Sequence, residues 1–262
     1  MVSIETHALH AISWVDLAAR DVDAATEFYA GLFGWTSFND GETPYFVFQA
    51  DGRPVAGVMA LTPEMGEMPP VWSIYVNVAD ADATCGAATA AGGVVVQAPF
   101  EIPGGGRIAV IVDPAGAAIC LFEGMADNGI KAVDEVGAPC WYDCVTRDLD
   151  ASVAFYEALF GWSSSVMEFE DMSYTMFAND GEPTCGAMAM PPMVPELVPS
   201  HWVANFVVDD ADAAAAFVAA NGGAITMPPT DTPFGRSVGI ADPWGAVMTL
   251  IDRSTATAEP PA

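Results

Sequence analysis

The sequence predicts an α+β protein made of two tandem copies of one domain. The phrase DVDAATEFYAGLFGW at 21–35 returns as DLDASVAFYEALFGW at 148–162, an offset of 148 − 21 = 127 residues. The same register continues upstream, where WVD at 14–16 matches WYD at 141–143. Each half also has two helical patterns, each surrounded by short strand-like runs. A repeat of this length indicates duplicated domains rather than a single large one.

Matches at both ends of the repeat set the domain boundaries. DPAG at 113–116 corresponds to DPWG at 242–245, and the polar stretch before residue 138 separates the copies. We predict a first domain over 10–125, a linker over 126–138 and a second domain over 139–253. Residues 1–9 and 254–262 are expected to be flexible.

The elements of each half follow from local patterns. Apolar residues between Asp21 and Gly34 recur at helical spacing, Asp21 can cap the helix and Gly34 suits its end. Strand-like runs lie at 13–19, 44–50 and 54–61, and the second unit repeats the plan with a helix near 80–93. The chain therefore contains four units of one strand, one helix and several strands.

Charge and composition exclude several classes of function. Seven basic and 35 acidic residues give a formal charge of −28, which repels nucleic acids and anionic membranes. No run of about 20 apolar residues predicts a membrane helix, and no secretory signal is visible. The five cysteines contain no CxxC pair and are expected to be reduced, which predicts a cytoplasmic protein.

The repeated phrases RDVDAATEFYAGLFGW, VADADATCGAATAAGG and DPAGAAICLFE, with their second-half counterparts, resemble the vicinal oxygen chelate superfamily. This superfamily includes glyoxalase I, bleomycin-resistance proteins and extradiol dioxygenases. The resemblance covers almost everything between His10 and Arg253. It implies four βαβββ units that form curved mixed sheets, or cups, in which a ligand or metal lies.

Metal-binding members place His, Gln and Glu on inward strand positions, and the resemblance gives the equivalent positions here. The first ligand position falls on Trp14 and Trp141, the middle one near Ser73 and Val203, and the last on Cys120 and Thr249. The remaining position lies in VAGVMAL and TCGAMAM, which contain no acid or His. Because no ligand set can be assembled, we predict neither a metal nor another cofactor.

The tryptophans at the first ligand position would give each cup an aromatic wall suited to a flat apolar ligand. Asp16 and Asp143 share the strand face of Trp14 and Trp141, and Arg107 and Arg236 begin a strand expected nearby. Two interpretations stay open: an Asp–Arg salt bridge within each half, or Asp and Arg both binding a ligand. The candidate binding set is completed by Phe48, Met59, Ser73, Tyr75, Met188, His201 and Asn205.

Three functions remain in competition. The first is metal-free binding of a small hydrophobic or aromatic molecule, as in bleomycin resistance, with a role in antibiotic resistance or secondary metabolism. The second is a metal-free tailoring enzyme or hydroxylase accessory that uses Asp16 or Asp143 as a base, although no nucleophile–base pair is recognisable. The third is a glyoxalase-like or dioxygenase-like metalloenzyme with atypical ligands. The expected partner is a small molecule, and a monomer is favoured over a homodimer because the duplication supplies paired units.

Overall fold

The computed structural model describes residues 2–103, 105–125, 128–169 and 173–257. The predicted fold class is confirmed: each half forms one curved mixed sheet of eight strands, accompanied by two helices. The first half consists of β2 (Ile12–Ala19), α1 (Val22–Phe33), β3 (Thr36–Phe38), β4 (Tyr45–Ala50), β5 (Arg53–Ala60), β6 (Val71–Val78), α2 (Ala81–Ala90), β7 (Val94–Glu101), β8 (Arg107–Val112) and β9 (Ala118–Glu123). A short β1 (Val2–Ser3) precedes it and pairs with β10 (Ala132–Val133) between the halves.

The second half repeats this order. Its elements are β11 (Pro139–Thr146), α3 (Leu149–Phe160), β12 (Ser163–Glu168), β13 (Ser173–Asn179), β14 (Glu182–Ala189), β15 (His201–Val207), α4 (Ala211–Ala220), β16 (Ala224–Thr232), β17 (Gly235–Ala241) and β18 (Val247–Asp252). Single-turn helices at Pro63–Met65 and Arg253–Thr255 add to these.

Each sheet is assembled from the two units of one half. The orders are β3-β4-β5-β2-β6-β9-β8-β7 and β12-β13-β14-β11-β15-β18-β17-β16. The antiparallel pairs β2 with β6 and β11 with β15 join the units at the centre of each sheet. Both cups are therefore completed within one chain, each inside its own half.

The first helix forms for the reasons that its sequence predicts. Ala25, Phe28 and Tyr29 are its buried stripe, and the Asp21 side chain accepts a hydrogen bond from the amide of Ala24 at 3.0 Å. Gly34 ends the helix with a φ of 72°, a left-handed conformation that glycine adopts without a side-chain clash. The second copy keeps the same cap and the same end at Asp148 and Gly161.

Alternation along the central strands separates a core face from a cup face. The indole of Trp72 on β6 donates to the hydroxyl of Tyr29 on α1 at 3.0 Å, so this face packs against the helix. Leu17, which pairs with Trp72, is fully buried on the same face. Trp14 and Asp16 therefore point to the opposite, concave face.

The two halves share a continuous hydrophobic core and exchange matched hydrogen bonds. Tyr29 of the first half donates to Asp242 at 3.0 Å, and Ser152 of the second half donates to Asp113 at 2.7 Å. The other carboxylate oxygen of each aspartate accepts two amide hydrogen bonds within its own DPxG turn. Each turn aspartate thus shapes one half and binds the other.

The segments before β2 and β11 each accept a hydrogen bond from a tryptophan of the other half. The indole of Trp162 donates to the carbonyl oxygen of His10 at 3.0 Å, and the indole of Trp35 donates to that of Gly137 at 2.7 Å. His7 is buried against Ile130, although residues 1–9 were expected to be flexible. Residues 126–127 of the expected linker and 258–262 of the expected tail lie outside the described residues.

The edge strands of both sheets, β3, β7, β12 and β16, were not assigned from sequence, and neither were the short β1 and β10. The side chains of these edge strands are largely exposed, so they lack the apolar alternation of a half-buried strand. In the described part of the chain, none of the helices has the length and apolar character needed to span a bilayer.

Candidate functional site

At the floor of the first cup, a carboxylate is held by aromatic side chains. The indole of Trp14 donates to the hydroxyl of Tyr45 at 2.6 Å, and that hydroxyl donates to Asp16 at 3.2 Å. Tyr75 donates to both carboxylate oxygens at 3.2 and 3.1 Å. Gly57 lies opposite Asp16 on β5, and a Cβ there would collide with the Tyr45 hydroxyl. The glycine therefore makes the room that Tyr45 fills.

The second cup repeats this arrangement with one replacement. Trp141 donates to the Tyr174 hydroxyl at 2.5 Å, and Tyr174 donates to Asp143 at 2.5 Å over Gly186. Asn205 takes the place of Tyr75 and donates to the other oxygen of Asp143 at 2.8 Å. Both cups thus present a Trp, a Tyr and an Asp in one hydrogen-bonded row.

The two carboxylates are bound by neutral donors rather than by cations. Burial raises the pKa of Asp16 to about 6, and the hydrogen bonds from Tyr75 and Tyr45 oppose this rise. Burial likewise raises the pKa of Asp143, against the hydrogen bonds from Tyr174, Asn205 and Trp141. Each cup therefore holds a carboxyl group that takes up a proton more readily than an exposed aspartate.

The predicted Asp–Arg pairs are wrong. Arg107 forms ion pairs with Asp82 at 2.8 Å and with Glu123 at 3.3 Å. Arg236 binds Asp212 at 2.6 Å and Asp231 at 2.8 Å. The reason is strand alternation: Arg107 pairs with Glu123, whereas the neighbouring Ile108 pairs with Phe122 on the cup face, next to Cys120. Neither arginine reaches a cup carboxylate.

Phe48 does not lie in the cup either. It is fully buried and packs against Tyr29 and Trp35 in the core, because Tyr45 and Val47 are the inward residues of β4. The other candidates lie on the concave face by strand register, namely Met59, Ser73, Tyr75, Met188, His201 and Asn205.

Sequence reasoning missed the two tyrosines that hold the aspartates. Tyr45 and Tyr174 are 174 − 45 = 129 residues apart, which is also the spacing of Gly57 and Gly186. Alignment of the two copies through this segment would have shown both pairs. Each glycine leaves space for a large side chain, and the repeated tyrosines are the side chains that fill that space.

The two cups differ in how far their own side chains fill them. The first has Tyr75, Cys120 and Phe122 where the second has Asn205, Thr249 and Ile251, and of these six only Thr249 is not buried. Trp14 and Asp16 are only 5% and 4% exposed, whereas Trp141 and Asp143 are half-buried. The second cup is therefore the more open and the more polar of the two.

His201 adds a further polar group to the second cup, at a position occupied by Val71 in the first. Its Nδ1 lies 2.8 Å from the carbonyl oxygen of Pro199. Because a carbonyl oxygen only accepts, Nδ1 carries the proton, and in the neutral ring Nε2 remains an acceptor.

An aromatic contact joins two distant hairpins of the second half. The rings of Phe169, after β12, and Phe234, between β16 and β17, lie 6.1 Å apart at 83°. Since β12 and β16 are the opposite edges of the sheet, this contact requires strong curvature.

The residues of the cups do not fit the divalent metal of the fold family. Each cup floor offers one carboxylate, already bound by neutral side-chain donors, and the first has Cys120 nearby. Burial raises the pKa of Cys120 to about 12, so it is a thiol and a poor ligand. Among the residues that the structure describes, no group of three or more His, Cys, Asp or Glu side chains could hold a metal ion.

The model of the Glyoxalase/Bleomycin resistance protein/Dioxygenase superfamily matches residues 11–121 and 130–250. The chain belongs to this superfamily, as its repeated phrases indicated. It is 37% identical over 246 residues to putative glyoxylase CFP32 of Mycobacterium tuberculosis (strain CDC 1551 / Oshkosh), covering 91% of this chain and 93% of that protein. It is 32% identical over 255 residues to anthracycline biosynthesis protein DnrV of Streptomyces peucetius, covering 92% of each chain.

Solved structures show the same fold at low identity. The Mn(II)-bound glyoxalase from Novosphingobium aromaticivorans aligns with a TM-score of 0.63 and 18% identity, covering 97% of this chain and 86% of that one. The 2,3-dioxygenase LapB from Pseudomonas sp. KL28 aligns with a TM-score of 0.60 and 13% identity, covering 93% of each. At these identities the likeness concerns the fold and not the chemistry.

Proposed function

We propose that the protein binds a small hydrophobic or aromatic molecule on the concave face of its sheet, without a metal ion. The observation that carries this proposal is the Trp–Tyr–Asp row, whose tryptophans stand where the resemblance puts the first metal ligand. The row offers an aromatic surface beside a fixed hydrogen-bond acceptor, and Met59 and Met188 add flexible apolar surface next to it.

The relatives support an aromatic ligand. Two proteins named for anthracycline biosynthesis are 32% and 31% identical to this chain over 92% of its length. Anthracyclines contain fused aromatic rings, and a flat ring system suits a wall of Trp and Tyr. We therefore propose a role in the biosynthesis of, or resistance to, an aromatic natural product.

Two further features of the proposal concern the setting. All five cysteines are unpaired, which supports a reducing cytoplasm. Each cup is completed within one chain, which supports a monomer, and the negative charge argues against nucleic acid as a partner.

The test combines elemental analysis, native mass spectrometry and titration with fused-ring aromatic compounds. We expect metal-free protein that binds an aromatic compound with an affinity unchanged by chelator. About one tightly bound Mn, Fe, Ni or Zn ion per chain, with binding lost after chelation, would contradict the proposal. It would instead support the metalloenzyme alternative.

A metal-free tailoring enzyme is the second candidate, and one observation favours it. Asp143 is half-buried in the cup, its pKa is raised and its partners are neutral, which are the properties of a general base. In such a reaction the carboxylate would take a proton from a substrate C–H or O–H group and return it to another atom of the same molecule. Asp143→Asn should then lower kcat by about 100-fold or more while substrate still binds. A binding protein would show no turnover to lose.

A further inference from the structure

We propose that only the second cup takes a ligand, and that this ligand is an uncharged planar aromatic molecule with a hydroxyl group that donates to Asp143. The inference rests on the proposed function and deepens it. It assigns the ligand to one of the two similar cups and names the chemical class of that ligand. The first cup becomes a structural counterpart filled by its own side chains.

The argument begins with the first cup, where the carboxylate is closed off from solvent. Tyr75 shares its one hydroxyl proton between both oxygens of Asp16, Tyr45 donates as well, and only 4% of Asp16 is exposed. Cys120 and Phe122 are buried alongside. A ligand would have to displace the Tyr75 ring before its own donor could reach Asp16, and a displaced, buried partner is costly.

In the second cup, a shorter side chain leaves space at the same place. Asn205 reaches Asp143 from its own strand and donates to one oxygen, while Tyr174 donates to the other. Each carboxylate oxygen accepts more than one hydrogen bond, and because Asp143 is only half-buried, a ligand donor can reach it where none can reach Asp16. Trp141 is half-buried where Trp14 is only 5% exposed, and Thr249 and the smaller Ile251 stand in place of Cys120 and Phe122.

Charge decides which ligands the cup accepts. Asp143 is hydrogen-bonded by neutral groups. Arg236, which the sequence offered as its counter-ion, is bound instead to Asp212 and Asp231 on the other face of the sheet. A carboxylate or phosphate on the ligand would meet an uncompensated negative charge in a poorly solvated site. A phenolic hydroxyl instead gives a charge-assisted hydrogen bond.

His201 gives the site a second acceptor. It lies diagonally from Asp143 on the same face, because Val145 pairs with His201 and Asp143 pairs with Val203. Diagonal neighbours of this kind lie roughly 7–8 Å apart between Cα atoms, which a fused-ring ligand can span. Its Nδ1 is bound to the Pro199 carbonyl, so Nε2 can accept from a second hydroxyl or a bridging water.

The contact between Phe169 and Phe234 joins connections at the two edges of the second sheet. The corresponding connections of the first half, 39–44 and 102–106, contain no aromatic residue. Both rings are half-buried, so each offers aromatic surface to a flat ligand. The features that distinguish the second cup thus all serve one kind of ligand.

The experiment exchanges the residue that distinguishes the cups. Asn205→Tyr gives the second cup the donor of the first, and Tyr75→Asn is the reciprocal change. Asp143→Asn, with Asp16→Asn as its matched variant, tests the carboxylate without changing its size. Folding of each variant is checked by circular dichroism. The probes are a naphthol and a hydroxyanthraquinone, each with its methyl ether and the corresponding ring carboxylate, titrated by calorimetry.

We expect one hydroxylated ligand per chain, bound about tenfold more tightly than its methyl ether and more tightly still than the carboxylate. Asn205→Tyr should weaken binding tenfold or more, and Asp143→Asn about tenfold, whereas Tyr75→Asn and Asp16→Asn should leave affinity within about twofold. Binding that survives Asn205→Tyr and Asp143→Asn, or two ligands per chain, would overturn the assignment but leave the proposed function intact. Equal binding of the methyl ether would overturn the hydroxyl contact. Failure of every aromatic probe to bind would overturn the proposed function itself.

Discussion

The two cups of this protein share one scaffold and differ at a few inward positions. Both have a tryptophan, a tyrosine over a glycine and an aspartate in the same row. In the first cup Tyr75 completes the row and the site is closed, whereas in the second Asn205 completes it and the site is half open. Strand register and the buried carboxylate are therefore properties of the fold, and access to the carboxylate depends on single side chains.

A second comparison concerns the interface, where the halves remain alike. Asp113 and Asp242 each accept two hydrogen bonds from their own turn and one from a helix of the other half. The tyrosine partner is kept in both halves, since Tyr156 interacts with Asp113 as Tyr29 does with Asp242, and Ser152 adds a hydrogen bond to Asp113. The contrast with the cups shows that the core and interface keep their symmetry while the concave faces diverge.

The largest effect is expected from removing these interface aspartates. Asp242→Ala leaves two turn amides and the buried Tyr29 hydroxyl without their acceptor, and Asp113→Ala does the same to its turn and to Ser152. Each change should lower the free energy of unfolding by about 3–5 kcal/mol, measured by urea denaturation. The exposed Asp209→Ala serves as the control and should change stability by less than about 0.5 kcal/mol. A small effect of one interface variant alone would mean that the interface is asymmetric too.

The next effect distinguishes the two carboxylates by pH. The folded-state pKa of Asp16 is raised to about 6 from an ordinary value of 3.8, so the unfolded chain loses this proton at lower pH than the folded one. The contribution of Asp16 to stability is complete below about pH 3.8 and is lost as the pH rises through about 6. At about 1.4 kcal/mol for each pH unit, the loss is about 3 kcal/mol.

Asp16→Asn removes this dependence. The stability of the variant minus that of the unchanged protein should therefore rise by about 3 kcal/mol between pH 3 and 7. Urea denaturation at several pH values measures this rise. Asp143→Asn should give a rise of the same sign but smaller size, because half-buried Asp143 is closer to solvent. Equal rises for the two variants would show that the cups do not differ in solvation.

The architecture could be read from the sequence because repetition and periodicity determine it. The duplicated phrases predicted the two copies, and strand alternation correctly placed Asp16 beside Trp14 and Asp143 beside Trp141. Arg107 and Phe48 were placed wrongly because a strand that lies near the cup still directs every second side chain away from it, and both residues lie on that other face.

The candidate site required the structure. Tyr45 reaches Asp16 from β4, two strands away in the sheet, and only the empty space over Gly57 connects them. The contact between Phe169 and Phe234 depends on sheet curvature, which no local pattern encodes. Neither feature leaves a periodic signal, so single-sequence reasoning had no means of finding them.

The smallest expected effect tests whether the helices of the two halves are as alike as their sequences. Gly34 and Gly161 end α1 and α3 with φ values of 72° and 71°, and their amides donate to Ala30 at 2.8 Å and Glu157 at 3.0 Å. A Cβ at either position would have no described atom within 4 Å, so Gly→Ala tests only the left-handed backbone. Each variant should lose about 1 kcal/mol of unfolding free energy, and the two losses should agree within about 0.3 kcal/mol by urea denaturation. Equal losses here, beside unequal pH profiles for Asp16 and Asp143, would confine the divergence of the halves to the cups. A clearly larger loss at Gly161 would mean that the opening of the second cup extends to the helix behind it.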